Sequence, residues 1–381
     1  MYVPCHFLRT PGPWRKATFT AAAATVAVFG LTGPAAADHA ADNGVEPVVS
    51  GPSHVKLSLS GQVNRGVLYA DDGDETEILH VDNDNSSTRI RFVGSGQYNE
   101  DITVGTQIEV QFESNSTANI KIDGSAPGGT DGFTERKLEL FFDHARFGRL
   151  WLGQGDTASN GTSEVDLSGT GVVGYSGIAD MAGGIEFGGF GVGPTIGTVY
   201  SNFDGLSRDD RIRYDTPSFG GFKLSASHAD SRKSDVAARF SGDIGGGLKL
   251  AAAVAYAING TVDSQVNGSL SIRHSSGFNV TAAAGQRDLD TGPQDPFFWY
   301  AKIGYVWGGG IGNTAIAIDY AEADDVAQVN DEFTAYGAFI VQKVDKISTE
   351  LYLGVRNHEL DRPGSNFDDV VAVLAGARIK F

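Results

Sequence analysis

The chain has 381 residues, a formal charge of −18, 51 glycines and one cysteine. Such acidity excludes nucleic-acid or anionic-surface binding, where basic patches supply the affinity. A single cysteine, Cys5, excludes disulfides, thiolate metal sites and a cysteine nucleophile beyond the first few residues.

Residues 1–37 read as a secretory signal peptide. Arg9, Arg15 and Lys16 give a positive start, 17–31 is apolar but short for a membrane span, and Ala35, Ala36 and Ala37 supply small residues for cleavage. Loss of its three cations makes the remainder more acidic still. Residues 38–54, with Pro47 and Pro52, read as an N-terminal linker. No later stretch approaches an apolar helix, so any membrane passage must use strands, and lipid admits strands only in a closed barrel.

From Val55 the pattern changes to a period of two. Val55, Leu57, Leu59, Val63, Val67 and Tyr69 alternate with Lys56, Ser58, Ser60, Gln62 and Asn64. Two-fold alternation marks a strand between two environments, and in a membrane barrel the apolar set faces lipid while the polar set faces the lumen. Arg65 falls on the apolar side, so either a bulge reverses the parity or a neighbouring subunit covers that strand. The pattern recurs about every twenty residues. Ile90 and Phe92 alternate with Arg89 and Arg91; Ile108, Val110 and Phe112 with Gln107, Glu109 and Gln111; Leu138, Leu140 and Phe142 with Lys137, Glu139 and Asp143. Later segments, such as Ile316, Ile318 and Tyr320, repeat it with small residues between.

The connections alternate as well. Short turns near 94–99, 143–146, 217–221, 243–247, 275–277 and 344–346 interleave with long acidic ones at 71–86, 114–132, 288–296, 322–331 and 359–369. Short periplasmic turns and long outer loops are the layout of an outer-membrane barrel. The longest interruption, 155–207, leaves 16 strands if it is one loop and 18 if 184–200 form a wall hairpin. The final stretch VVAVLAGARIKF alternates to its last residue, with Arg378 and Lys380 on one face and Ile379 and Phe381 on the other. A free edge is a liability, so this strand is expected to close the barrel against Val55 to Tyr69. The fold class is thus an all-β transmembrane antiparallel barrel over 55–381.

Several motifs resemble the Gram-negative general diffusion porins. They are GQVNRGVLYA (61–70), VDNDNSSTRIRF (81–92), FGRLWLGQGD (147–156), RDDRIRYDTPSFGGF (208–222) and the terminal Phe381. The resemblance implies a 16-stranded barrel in the cell outer membrane, usually a homotrimer among lipid and lipopolysaccharide. Its third outer loop, here 155–207, would fold into the lumen. It further implies that Phe381 is read by the barrel assembly machinery. Acids on that loop would face bases on the wall across a constriction. The candidates are Glu164, Asp166 and Asp180 on the loop, with Arg89, Arg91, Arg149 and Lys137 on the wall. Charges ringing a narrow point set ion preference, and with so acidic a chain weak cation preference is expected.

No cofactor is expected. The stretch DDGDETEILHVDNDN (71–85) is oxygen-rich enough to be a Ca²⁺ candidate but lacks the spacing of a calcium loop, which favours a solvated outer loop. No G-x-S-x-G, H-E-x-x-H or P-loop is present, so the chain is not read as an enzyme. The alternatives to a general porin are a substrate-specific, sugar-type channel, favoured by 18 strands, and a non-conducting barrel adhesin.

Overall fold

The computed structural model describes residues 54–126, 132–189, 191–230, 232–260 and 262–381. The expected signal peptide and the linker up to residue 53 lie outside the described residues. The strands are β1 (Lys56–Asp71), β2 (Thr76–Asp82), β3 (Arg89–Gln97), β4 (Ile102–Glu113), β5 (Gly132–His144), β6 (Gly148–Asp156), β7 (Arg208–Asp215), β8 (Phe222–Ala229) and β9 (Lys233–Asp243). They continue as β10 (Leu248–Asn259), β11 (Val262–His274), β12 (Phe278–Leu289), β13 (Phe297–Gly309), β14 (Gly312–Asp324), β15 (Glu332–Val344), β16 (Thr349–Asp361) and β17 (Val370–Lys380).

Neighbouring strands pair antiparallel, and β17 pairs with β1 from Gln62 opposite Lys380 to Asp71 opposite Val371. The sheet is therefore a closed barrel. Phe381 extends the seam, its N–H donating to Gly61 O and its carbonyl accepting from Gly61 N. Both β2 and β3 pair with β1, the first opposite Arg65 to Asp71 and the second opposite Lys56 to Gln62. They are two halves of one wall strand, broken by a short 3-10 turn at Asp84–Ser86. The seventeen segments thus occupy 16 wall positions. The expected long loop at 71–86 is corrected accordingly. Half of it is strand, because TEILHVD finds backbone partners on β1, and the connection between β1 and β2 shrinks to 72–75.

The question left by Arg65 is also answered. Pairing through β1 runs without a bulge, so Arg65 stays on the outer face with Val63 and Val67. Its guanidinium meets Asp82 at 2.6 Å, and Asp82 is covered further by Ser114 and Asn115, whose backbone N–H groups donate to it. An outward charge in hydrocarbon costs about 2–4 kcal/mol at the bilayer midplane, and the ion pair offsets part of that.

Side chains on the outer face are exposed and apolar, among them Val63, Ile108, Leu138, Leu270, Ile318 and Leu353. The opposite face differs by sector. Over β3 to β9 it carries charge, with Arg89, Arg91, Glu109, Glu139, Arg211, Arg213 and Asp215 sharing the face by register. Over β10 and β14 it is a run of alanines, Ala251, Ala253, Ala255 and Ala257, then Ala315, Ala317, Ala321 and Ala323, all buried. Residues 157–207 pack on the β14 alanines, and their Ala158 packs with Ala255 of β10. That segment contains α1 (Ala179–Ala182) and α2 (Ile196–Val199), and its Val173, Ile178, Met181, Phe187 and Phe203 share one apolar cluster with Leu68, Phe298, Phe333, Ala372 and Leu374 of the strands. β6 pairs directly with β7 and residues 184–200 contribute no wall strand, which excludes the 18-strand alternative.

Candidate functional site

Residues 157–207 are held to the sheet by polar contacts spread along their length. Asp235 of β9 accepts from the backbone N–H of Ser159 at 2.7 Å and from its hydroxyl at 2.5 Å. Ser269 and Ser271 of β11 accept from Val165 N and Leu167 N, each at 2.9 Å. Lys302 of β13 is fully buried and donates to Asp166 at 2.8 Å, Thr170 at 3.0 Å and Gly174 O at 2.5 Å. Near the first strands, Asn83 donates to Val172 O and Thr117 to Asp180 O. Gln265 donates to Phe203 O, and Phe203 meets the Phe298 ring edge-on.

The three loop acids chosen from sequence have different fates. Asp166 is committed to Lys302, whose ammonium holds its carboxyl below the usual range even though burial acts in the opposite direction. It anchors the segment to β13. Among the described residues Glu164 and Asp180 have no ion pair within 4.0 Å and bond instead to neutral groups, Glu164 accepting from Asn202 at 3.1 Å and Asp180 from the Tyr175 hydroxyl. Burial, with Asp204 and Asp180 nearby, pushes Glu164 well above the carboxylate range. Burial, with Asp84 nearby, pushes Asp180 up to about 7. Asp204 joins this group. It accepts from Gly161 N at 2.6 Å and Ser163 N at 3.0 Å, yet burial raises it overall.

On the wall, Arg89 and Arg91 stand opposite Gln62 and Ser60 of β1 and form one cluster. Glu109 receives Arg91 at 2.5 Å and Arg136 at 2.7 Å, with Arg89 at 4.0 Å. A second cluster adjoins it across the seam, where Glu350 takes Arg378, Lys380 at 3.3 Å and Lys343 at 3.6 Å. Arg378 also donates to Ser86 of the strand break at 2.6 Å. Six cations thus share two carboxylates. Lys137 and Arg149 stand apart from both clusters. Lys137 pairs with Asp156, and Arg149 pairs with Asp143 at 2.7 Å beside the β5–β6 turn, over the rings of Phe141 and Trp151.

Sequence reasoning missed Arg136, Arg378's share in the cluster, and Asp204. The register of β4 against β5 shifts between Glu109 and Val110, which brings Arg136 to Glu109, and single-strand periodicity does not report a bulge. The inward alanines of β10 and β14 were visible as a signal that something packs on that wall.

The acid-rich stretch 71–85 is tied internally. Asp72 accepts from the N–H groups of Asp74 and Glu75, Asp82 is held by Arg65 and Ser114, and Asp84 accepts from Ser87 and Ser116. Among the described residues no group of three or more His, Cys, Asp or Glu side chains is set to hold a metal ion.

A closed 16-position barrel with an exposed apolar face and a charged sector on the opposite face defines an outer-membrane channel protein. A family model described as Gram-negative porin matches residues 20–363, and the chain belongs to that family. Its localisation is accordingly the outer membrane. The fold is similar to the anion-selective porin from Comamonas acidovorans at 16% identity and a TM-score of 0.59, covering 86% of this chain and 100% of that one. It is also similar to the trimer form of OmpT from Vibrio cholerae, at 12% identity and a TM-score of 0.55, covering 86% and 100%. A mutant of the Rh. blastica porin matches at 18% identity and a TM-score of 0.51, covering 85% and 100%. No curated protein sequence matches the chain.

Proposed function

We propose that the chain forms a general diffusion pore for ions and small hydrophilic solutes, narrowed by residues 155–207 lying in the lumen, with weak cation preference. The observation that carries this is the separation of charge. Among the described residues Glu164, Asp180 and Asp204 on the segment have no ion pair within 4.0 Å and take up negative charge as the pH rises through their raised ranges, while the cations of the opposite wall are shared among Glu109 and Glu350. Such an arrangement sets up a transverse field across the water path. Outer connections rich in acid, such as the one with Asp72, Asp74 and Glu75, raise the local cation concentration at the mouth. The 16-position wall favours a general pore over the substrate-specific alternative, which the 18-strand reading had supported.

The protein is further proposed to be exported by its signal peptide, closed with the help of the barrel assembly machinery reading Phe381, and assembled as a homotrimer beside lipopolysaccharide. The outward Arg65–Asp82 pair favours the subunit contact, since a neighbouring wall would shield it from lipid. Reversal potentials in planar bilayers under a salt gradient test the preference, and an anion-preferring sign overturns it. Liposome swelling with sugars of graded size tests generality, where a smooth size cutoff is expected and saturable uptake would indicate a specific channel.

A further inference from the structure

The face opposite the exposed apolar one carries an excess of cations at the short-turn end of the strands. By register, Lys56, Arg149, Lys223, Lys249 and Arg273 lie on that face close to the turns, and Lys343, Arg378 and Lys380 share Glu350 at the same level. Asp143, Asp215 and Asp243 are the other acids placed there. The turns themselves are close to balanced, with Glu100, Asp101 and Asp345 against Arg146 and Lys346. Two of the placements carry a cost. Lys223 stands directly opposite Arg239, and Lys249 directly opposite Arg273. Like charges facing each other across a ladder destabilise it, and Asp243, opposite Lys249 on its other side, relieves only the second pair. Closing a barrel requires neither pair.

The other end has the opposite sign. Its connections hold Asp290 and Asp295 between β12 and β13, Asp325 and Asp331 between β14 and β15, and Asp368 and Asp369 between β16 and β17, besides the acids of 72–75 and 157–207. Among the described residues those connections carry only Lys121, Arg232 and Arg362 as lysine or arginine. Lys121 is taken by Glu186 at 2.7 Å and Arg362 by Asp331 at 2.6 Å. The two ends do not neutralise each other. A strand such as β15, with 13 residues, is roughly 40 Å long, and with the usual tilt it separates its ends by about 30 Å along the axis. That is about three Debye lengths at 0.1 M salt.

We infer that the channel rectifies: a cation-collecting outer zone and an anion-collecting turn-side zone stand in series, and more current passes when the outer side is positive. The inference rests on the reading of the chain as an open pore. Fixed charge of one sign raises the local concentration of the opposite ion, so cations gather at the acidic end and anions at the basic end. With the outer side positive, both populations are driven toward the middle of the channel, where they accumulate and carry current. With the polarity reversed, both are drawn out through their own mouths and the middle is depleted. Lys223, Lys249 and Arg273 act here as residues that set the direction of flow, at a distance from the Glu109 and Glu350 clusters.

The test records current against voltage for the full chain in neutral planar bilayers in potassium chloride. Orientation is fixed with Cys5→Ser and a biotinylated Ser276→Cys on a short turn, by the side from which streptavidin alters the current. At about 0.1 M salt the current with the outer side positive is expected to exceed the reverse current by about 1.5-fold or more, and at 1 M, where the Debye length is about 3 Å, the ratio should fall to one. Replacing Lys223, Lys249 and Arg273 together by glutamine should bring the ratio at low salt close to one while the channel stays open. Barrel formation in that variant is checked by heat-modifiable migration on a denaturing gel. A linear response at low salt, the opposite sense, or a ratio unchanged in the triple variant overturns the inference. Absence of any conductance overturns the reading as a pore instead.

Discussion

The hydroxyl of Tyr352 on β16 donates to Oδ1 of Asn64 on β1 at 2.8 Å, reaching across the whole width of β17. The two residues are 288 positions apart, and β17 makes room between them with Gly376, where a methyl group would collide with the Tyr352 ring. Gly66 on β1 leaves space on the far side. The backbone ladder of the seam is thus backed by a side-chain clasp spanning three strands.

Replacing Tyr352 by phenylalanine leaves buried Asn64 Oδ1 without its donor, at a cost of about 1–3 kcal/mol. The barrel is expected to form but to lose its fast, folded migration on a denaturing gel at a lower heating temperature than the parent. Gly376→Ala should lower it further, because the ring has no other path. Unchanged melting in both would show that the backbone ladder alone sets the stability of the seam.

Lys302→Met strands Asp166 beneath the segment it anchors. Leaving one member of a buried ion pair unpaired costs about 3–5 kcal/mol, here spent on releasing 157–207 from the wall. Noisier single-channel conductance and faster proteolysis within the segment are expected. Adding Asp166→Asn removes the stranded charge and should restore a good part of the parent behaviour, while a simple sum of the two effects would contradict the coupling.

Acidification is expected to weaken cation preference. A carboxyl whose ordinary value is raised is neutral over a wider pH range, so Asp180 loses its charge as the pH falls through about 7. Glu164 and Asp204 are shifted in the same direction. The reversal potential in a salt gradient should move toward zero on lowering the pH through neutrality. Asp180→Asn should flatten that dependence.

Replacing Arg89 and Arg91 together by alanine removes two of the three guanidiniums that share Glu109. Cation preference should rise, measured as a larger reversal potential of the same sign. Replacing Arg149, which is occupied by Asp143 near the turn, should change it far less.

Much of the wall could be read one strand at a time. Parity placed Arg89 and Arg91 on the same face as Gln62 and Ser60, and the register confirms it, because a strand with two environments exposes its period to anyone counting by two. The seam between the last strand and the first was legible for a different reason, since a closed sheet admits one partner for each edge. The partners of the loop acids were not legible. Asp166 and Glu164 are two residues apart in chemically similar surroundings, yet Lys302, 136 residues further on, meets only the first.

Sequence by itself determined the period of two, the apolar exterior and the family motifs, because these depend on local side-chain order and on the solvent each face meets. Tertiary structure alone decided that the second wall strand is broken in two and that the wall has 16 positions. It also decided that Arg136 joins Glu109 through a bulge and that Tyr352 clasps Asn64. Each of these rests on register between segments far apart in the chain, and register is a property of pairs of strands that no single strand encodes.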